Sequence, residues 1–352
     1  MAETDTPSRK IEGFTWTVED VNLISTSEVW GDVLVEAARR DPRIVALTAD
    51  LAHSTKMRRF KETFPERFFN VGIAEQNLMA VAAGLAATGL TPVVCTYATF
   101  ASLRAAEFVR TDLGYNQRNV KIVGTLAGVA FGQGGPTHHS VEDVALLRAV
   151  PGMVVLAPSD GEQMGAALEA ALAHVGPVYL RTGRGVERPV ADTHAAGTHG
   201  EHARGFTIGR ARRLREGRHV TVMACGPTVE EALRAAERAA REGIEVRVLD
   251  MASLKPLDEA AVRAAVRDTR RIVTVEDHNV IGGLGSAVCE VVARGGLGCG
   301  LRTLGHQDRV LPMGVPEDLM HLGGFDEDAI LAAVCELRKV SVSPDDDWRD
   351  DT

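Results

Sequence analysis

One acidic residue lies where it could transfer a proton. Glu75 belongs to the run NVGIAEQ at 70–76, directly before an apolar, Ala- and Gly-rich segment at 77–88. The pattern predicts a helix that is buried nearly all round, in the core or against another subunit. Backbone amides stabilise a carboxylate in the first turn of such a helix, which would be a purely structural role. Desolvation instead disfavours the charged carboxylate, and the competition between the two effects could set the pKa of an acid–base group. The residues alone leave the structural and the acid–base interpretation open.

Two further stretches carry side chains suited to binding a ligand. Tyr97 and Phe100 follow a predicted strand, where parallel α/β sheets place their ligands, although ordinary core packing would also explain them. The loop GVAFGQGGPTHH at 128–139 could bring backbone close to a ligand, and it ends in His138 and His139. Adjacent histidines do not readily chelate one ion and the sequence signals no third ligand, so no metal site is predicted.

The elements that must position these residues alternate between strand and helix patterns. In the first half, apolar runs rich in β-branched residues predict strands at 43–48, 92–96, 119–125, 153–157 and 177–181. In the second half, strands are predicted at 219–225, 244–249, 271–275 and 301–304, with helices at 228–242, 258–268, 284–294 and 326–338. Capping-box signals stand at Ser140, Ser159 and Thr228. The alternation predicts an α/β fold of two doubly wound domains, the first with a parallel sheet and the second smaller.

The predicted boundaries divide the chain into four parts. Residues 20–186 form the first domain, and residues 187–204, which are rich in polar residues, Pro and Gly, form a linker. Residues 205–340 form the second domain. Residues 341–352 are an acidic tail that we expect to be disordered, because blocks of like charge repel one another.

Composition excludes several classes of protein. The chain has 352 residues, 45% of them hydrophobic, so it can bury a large core. Its net charge of −9 argues against a nucleic-acid partner, and no apolar run approaches the roughly 18 residues of a membrane helix. The 5 cysteines form no Cys-x-x-Cys pair and the polar N-terminus lacks a signal core, which together predict a reduced, cytoplasmic protein. The segment 282–285 lacks the third small residue of a dinucleotide fingerprint and is interpreted as a tight turn.

The ordered set of motifs resembles the C-terminal half of a transketolase. The set comprises ADL at 49–51, GIAEQ at 72–76, the aromatic run 97–100, GPTH at 135–138 and VEDHNVIGGLG at 275–285. The resemblance spans most of the chain and implies a pyrimidine-binding domain of thiamine diphosphate enzymes, followed by the transketolase C-terminal domain. The family binds the cofactor's diphosphate and Mg²⁺ through a Gly-Asp-Gly motif, which this sequence lacks. The resemblance therefore implies a split enzyme, of α2β2 type, in which an N-terminal transketolase subunit supplies that site.

The resemblance also implies roles for individual residues. Glu75 matches the glutamate that hydrogen-bonds the aminopyrimidine N1′ and so favours the tautomer that removes the proton from C2 of thiamine diphosphate. Tyr97 and Phe100 match the aromatic residues that pack on the pyrimidine ring, and Asp50 lies in a loop expected to approach the cofactor. His138 matches a histidine that contacts the substrate or the intermediate's oxygen. The resemblance thus assigns Glu75 and His138 to catalysis.

The residues matched to substrate contacts depart from the family pattern. Arg184 matches an arginine and Ser54 a serine that bind the substrate phosphate, and His139 can add a polar contact. Gly134 occupies a position at which many sugar-phosphate transketolases carry an aspartate that contacts a donor hydroxyl. Two basic residues of the family are also replaced, which removes charged contacts to phosphate. These departures predict a specialised or less phosphorylated substrate.

Two alternative functions remain open beside a ketol-transferring subunit. The β subunit of a 2-oxo acid dehydrogenase E1 shares the domain order, although GPTHH and GIAEQ match transketolase better. A non-catalytic regulatory homologue would not need Glu75, the aromatic pair and His138. The leading hypothesis is therefore a subunit of a split, thiamine diphosphate-dependent transketolase.

Overall fold

The computed structural model describes residues 24–183, 186–187, 190 and 206–340. The predicted tail at 341–352, most of the predicted linker at 187–204, and Arg184 lie outside these residues. What the sequence predicts for those parts stays a prediction.

Strands occur throughout the described residues. They are β1 (Ile24–Ser25), β2 (Ile44–Thr48), β3 (Phe68–Asn70), β4 (Thr91–Tyr97), β5 (Lys121–Thr125), β6 (Val154–Leu156), β7 (Val178–Arg181), β8 (Val186–Glu187), β9 (Arg212–Arg215), β10 (Val220–Ala224), β11 (Val246–Asp250), β12 (Ser253–Lys255), β13 (Arg271–Asn279) and β14 (Gly300–His306). The sequence patterns did not predict the short strands β1, β3, β8, β9 and β12.

Helices connect most of these strands. The α-helices are Thr26–Arg40, Arg58–Thr63, Glu75–Ala87, Ala106–Phe108, Asp143–Arg148, Gly161–Ala173, Thr228–Arg241, Glu259–Thr269, Leu284–Arg294, Pro316–Gly323 and Glu327–Lys339. Pro65–Arg67 and Gly132–Gly134 are 3₁₀ turns, and Phe100–Arg104 and Val109–Tyr115 are π-helical. Among the described helices, none has the length and apolarity to cross a membrane.

The first sheet brings the candidate site residues to one edge. Its spatial order is β12-β6-β7-β5-β4-β2-β3, and every pair from β6 to β3 is parallel. Parallel neighbours need crossover connections, and most of these contain a helix that covers a face of the sheet. The carboxyl ends of β3, β2, β4 and β5 are adjacent. The segments that carry Glu75, Asp50, Tyr97 and His138 therefore leave the sheet side by side, where α/β folds bind ligands.

The second sheet confirms the predicted second α/β domain. Its order is β14-β13-β10-β11-β9, with β9 antiparallel at one edge and the other neighbours parallel. Helices Thr228–Arg241 and Glu327–Lys339 pack together, as do Glu259–Thr269 and Leu284–Arg294. The two helix pairs contribute to different apolar clusters, as expected for a sheet with helices on both faces.

The two halves of the chain also share secondary structure and core. Strand β12 comes from the second half and pairs antiparallel with β6, placing Ser253 opposite Leu156. One apolar cluster contains Leu147 from the first half and Leu284 from the second. The two predicted domains, which the polar linker separates in sequence, therefore pack against each other through residues that are far apart in the chain.

Within this chain the helix Glu75–Ala87 is buried on one face only, and burial of its other face against another subunit stays a prediction. Its buried residues are Glu75, Leu78, Met79 and Ala82, which lie on one face. Gln76, Asn77 and Gly84 are exposed, and a Cβ placed on Gly84 would meet no atom within 4 Å. Composition did not reveal this asymmetry because small residues give similar apolarity to both faces, whereas only one face packs on the sheet.

Candidate active site

Glu75 begins its helix and is almost fully buried. Its side chain is 2% exposed, and Ala74 occupies the N-cap position without a side-chain hydrogen bond. Arg104 Nη1 donates to Glu75 Oε2 at 3.1 Å. The same guanidinium lies 4.1 Å from the centroid of the Phe100 ring. One partly exposed cation thus joins the buried carboxylate to the first aromatic residue of the π-helical segment.

Four rings form a cluster at the carboxyl ends of β4 and β5. Tyr97 and Phe100 have their ring centroids 5.6 Å apart. His138 lies edge-on to both, at 6.3 Å from Tyr97 and 5.5 Å from Phe100. Phe131 completes the cluster, 5.5 Å from His138 and 6.3 Å from Tyr97. The structure therefore brings together the predicted aromatic pair and the predicted catalytic histidine, with Arg104 between Phe100 and Glu75.

The two neighbouring histidines differ in environment. His138 is half-buried, and its Nδ1 lies 2.9 Å from Thr137 Oγ1. His139 is buried, and its Nε2 lies 3.4 Å from Gly132 O within the same loop. Burial lowers the pKa of His139, which favours the neutral ring. His138 is thus the histidine of the ring cluster, and the role of His139 in substrate binding stays a prediction.

Asp50 and Ser54 follow β2, next to β3. Asp50 has a left-handed backbone, with φ 62°, and its carboxylate accepts from Asn70 Nδ2 at 2.8 Å. Asn70 Oδ1 in turn accepts the backbone N–H groups of Asp50 and Gly72, at 2.9 and 3.0 Å. Ser54 is exposed in the following turn. Through these contacts Asn70 holds both the segment that follows β2, at Asp50, and the segment that leads from β3 to Glu75, at Gly72.

Sequence analysis missed Arg104 and Phe131. Arg104 stands four residues after Phe100, a spacing that places side chains on the same face of a helix and could have indicated the cation–π contact. Phe131 lies inside the Gly-rich loop, and only the folded loop brings its ring against His138. Leu103, in the same π-helical segment, is 47% exposed.

The interpretation of residues 282–285 as a tight turn is confirmed. Gly282 has φ 86°, and the buried Glu276 carboxylate accepts the N–H groups of Leu284 and Gly285 at 2.6 and 2.8 Å. A Cβ on Gly283 would overlap that carboxylate. The first amides of helix Leu284–Arg294 therefore bind a carboxylate of the same chain.

Comparisons with known proteins identify the family of both domains. Residues 22–188 match the family model for the transketolase pyrimidine-binding domain, and residues 209–330 match that for the transketolase C-terminal domain. One of the subunits of the apulose-4-phosphate transketolase of Phocaeicola vulgatus is 37% identical over 90% of this chain and 99% of its own length. The 6-deoxy-6-sulfo-D-fructose transketolase subunit of a Clostridium species is 40% identical over 88% of this chain and 93% of its own.

A solved structure agrees in both sequence and fold. The structure, described as an inactive β4 tetramer of a split-gene transketolase, is 41% identical and covers 91% of this chain and 100% of its own, with a TM-score of 0.81. The family-model matches and the relatives lead to one conclusion. The chain belongs to the transketolase family and comprises its pyrimidine-binding and C-terminal domains.

Proposed function

We propose that the chain is the subunit of a split, thiamine diphosphate-dependent transketolase that carries the pyrimidine-binding and C-terminal domains. The enzyme transfers a two-carbon ketol unit from a ketose donor to an aldehyde or related acceptor. The observation that carries the proposal is the buried Glu75 carboxylate, linked through Arg104 to a cluster of aromatic rings and one imidazole. A buried charge at a ligand-binding edge is typical of a functional group.

The residues around Glu75 fit the aminopyrimidine of thiamine diphosphate, which supplies a carbon nucleophile when bound. Arg104 supports this fit, because its planar cation lies over Phe100 while donating an N–H to Glu75. The pyrimidine ring is likewise planar, and in its N1′-protonated and imino forms it presents an N–H group at the edge assigned to Glu75. The site therefore accommodates a flat ring that donates to a carboxylate.

Each residue of the site then has a separate task. Glu75 holds the proton at the pyrimidine N1′, and its burial keeps water from that proton. Tyr97 and Phe100 pack on the pyrimidine ring, and Asp50 orders the loop next to it through Asn70. His138, edge-on to both aromatic rings, orients an oxygen of the substrate.

The proposal includes a partner subunit. The N-terminal transketolase subunit supplies the Gly-Asp-Gly motif that this sequence lacks, and with it the ligands of Mg²⁺, in an α2β2 assembly. Exposed apolar side chains beside the site support a covering partner. Ile73, two residues before Glu75, is 78% exposed, and Met313, packed on the Gly-rich loop at Gly135, is 68% exposed.

We further propose a specialised anionic sugar as the substrate. Two relatives are named for an apulose phosphate and for a sulfonated fructose, which supports substrates outside ordinary sugar phosphates. Arg184 and Ser54 are the proposed contacts to the anionic group, with His139 as a further polar contact. Gly134 lacks the acidic side chain that contacts a hydroxyl group of the donor sugar in many family members.

The proposal is tested by Glu75→Gln in the complex of this chain with its partner. The amide cannot carry the negative charge that holds the N1′ proton, so ketol transfer is expected to slow roughly 10²–10⁴-fold. Deuterium exchange at C2 of the bound cofactor, followed by NMR, should slow in parallel.

A matched control separates the role of the charge from the effect of any mutation. Glu107→Gln removes an exposed carboxylate from the helical stretch that also contains Arg104, and it should leave both rates unchanged. Normal C2 exchange in Glu75→Gln would show that this carboxylate does not control the cofactor's proton.

A further inference from the structure

The loop that carries Phe131 and His138 is held at its start by a buried carboxylate from the second domain. Asp277, near the end of β13, accepts the Val129 N–H, with both oxygens 3.2 Å from the nitrogen. His306 Nε2, at the end of β14, lies 2.9 Å from Asp277 Oδ1, and the His306 ring packs 4.4 Å from Phe325. Asp277 and His306 are 3% and 1% exposed.

Asp277 packs so closely on the start of the loop that residue 128 has no space for a side chain. Gly128 has φ 61°, and a Cβ at this residue would overlap the Asp277 carboxylate. Burial by itself would raise the pKa of Asp277, but the hydrogen bond from His306 and the charge of Arg181 lower it overall. A charged acceptor therefore faces the Val129 N–H, and a charged acceptor makes the stronger hydrogen bond.

The middle and the end of the loop are held from the same domain. Gly314 N donates to Gly132 O at 3.2 Å, and a Cβ on Gly132 would overlap Gly314 O. At the far end, Asn279 N donates to Val141 O at 2.8 Å. Gly128 and Ser140 close the base of the loop by two backbone hydrogen bonds of 2.9 Å.

A buried cation of the first domain ties this end of the loop to the same strand. Arg181, at the end of β7, donates through Nη2 to Ser140 O at 3.0 Å and to Asp277 O at 2.5 Å. Its Nε donates to the Asp143 carboxylate at 2.9 Å. Asp277 thus holds the start of the loop directly, by its side chain at Val129. It is linked to the end of the loop indirectly, because Arg181 donates to both the Asp277 carbonyl and the Ser140 carbonyl.

We propose that Asp277, oriented by His306, is a positioning residue for the reaction, because it holds the Gly-rich loop so that Phe131 and His138 meet Tyr97 and Phe100. The inference rests on the proposed ketol transfer for its kinetic effect. In this arrangement the C-terminal domain sets the geometry of a site whose rings all belong to the pyrimidine-binding domain. Within the described residues, the hydrogen bonds of the Asp277 and His306 side chains go to Val129 and to each other, and not to the ring cluster.

The first test is Asp277→Asn in the assembled complex, read by hydrogen–deuterium exchange of residues 128–140. The neutral amide weakens the bond to Val129 N–H, and exchange in this segment is expected to speed up about 10-fold. Asp268→Asn is the matched control, since Asp268 is an exposed acid of the same domain paired with Arg247. Equal exchange in the two variants would overturn the proposal. This readout needs no turnover, so it decides the loop's anchoring even if the substrate class is wrong.

The second test asks whether Asp277 acts through His138. Asp277→Asn should lower kcat/KM about 100-fold, as expected when catalytic groups shift by roughly 1 Å, with the affinity for thiamine diphosphate unchanged. In a background that already carries His138→Ala, the same substitution should have little further effect. Full additivity of the two losses would overturn the positioning role. If Asp277→Asn does not fold, His306→Leu, which removes the group that contacts Asp277 Oδ1, serves in its place with the same expected direction in both tests.

Discussion

At the scale of single residues, Glu75 shows how a buried charge depends on one neighbour. Its carboxylate is 2% exposed, whereas the Arg104 guanidinium that pairs with it is 44% exposed. Because Arg104 keeps part of its hydration, the pair costs less to desolvate than two fully buried ions. Removing Arg104 would leave the buried carboxylate without this donor. The cost of the unpaired carboxylate exceeds the desolvation free energy that removing the partly hydrated cation would recover.

Arg104→Ala is therefore expected to lower the free energy of unfolding of the chain by about 1–2 kcal/mol, a value reduced to allow for the exposure of Arg104. The loss should shrink when Glu75→Gln is present, because a neutral amide needs the cation less. Urea unfolding of the single and double variants measures both effects.

Arg110→Ala provides the comparison for this double-mutant cycle. Arg110 is an exposed residue of the neighbouring π-helical segment, and its removal should change stability by less than about 0.5 kcal/mol. A loss for Arg104→Ala no larger than for Arg110→Ala would mean that the ion pair contributes nothing to folding.

At the scale of elements, helix caps show how neighbouring residues compete for one position. The sequence pattern placed the cap of helix Gly161–Ala173 at Ser159, but Asp160 occupies it and accepts the Gln163 N–H at 2.8 Å. Ser159 donates its hydroxyl to Gln163 Oε1 instead. Thr228 likewise donates to two backbone carbonyls and caps nothing. The helices were predicted correctly, whereas the capping atoms depend on packing with neighbouring elements.

The contact between β13 and helix Asp143–Arg148 is expected to be acid-sensitive. The neutral His278 ring fits there, since Nδ1 lies 2.7 Å from Asn279 O and Nε2 accepts the Ala145 N–H at 3.3 Å. Burial lowers the pKa of His278 from 6.5 to about 4. Below the unfolded value, the unfolded chain binds a proton that the folded chain does not. The free energy of unfolding should therefore fall as the pH decreases from 6.5 towards 4, by up to about 3 kcal/mol.

Urea unfolding of the parent chain and His278→Gln across this pH range tests the expectation. Glutamine can still accept the Ala145 N–H but does not titrate, so the variant should lose part of the acid sensitivity. Glu276, 3.8 Å from His278, has its pKa raised by burial to about 7, and its titration acts in the opposite direction. The measure is accordingly the difference between the two pH profiles, and identical profiles would rule out His278 as the source.

At the scale of the whole molecule, the residues of the site belong to the first domain and the second domain holds one of its loops in place. The rings and Glu75 come from the first domain, and the loop that carries His138 is held by the second. Two relatives of nearly the same length are named as transketolase subunits, and the solved β4 tetramer is described as inactive. These names describe the relatives, and for this chain the second subunit is the proposal made above.

The isolated chain is expected to lack ketol transfer and to bind thiamine diphosphate poorly, because its sequence has no Gly-Asp-Gly motif for the diphosphate and Mg²⁺. Adding the partner subunit should restore turnover and saturate at a fixed ratio of the two chains. Calorimetric titration of the cofactor into each chain and into the mixture measures the binding. Robust turnover by the isolated chain would contradict a split enzyme.

The sequence by itself determined the longer elements and their alternation, and it indicated several of the residues that the structure brings together at the edge of the first sheet. Strand and helix periodicities arise from neighbouring residues, so β2, β4, β5 and helix Leu284–Arg294 were predicted to within about two residues. The sequence placed Tyr97 and the loop that carries His138 after two predicted strands, and a doubly wound sheet collects the carboxyl ends of its strands at one edge. The ring contacts agree with that placement.

Only the tertiary structure decided how distant parts of the chain meet. The edge strand β12, the pairing of Arg104 with Glu75 and the contact of Asp277 with Val129 all join residues far apart in sequence. Such contacts leave no periodic signal, since each depends on the whole path of the chain between its partners. The reason for Gly128 is of the same kind. The Asp277 carboxylate of the other domain occupies the place where a Cβ on Gly128 would lie, and Asp277 is distant from Gly128 in sequence.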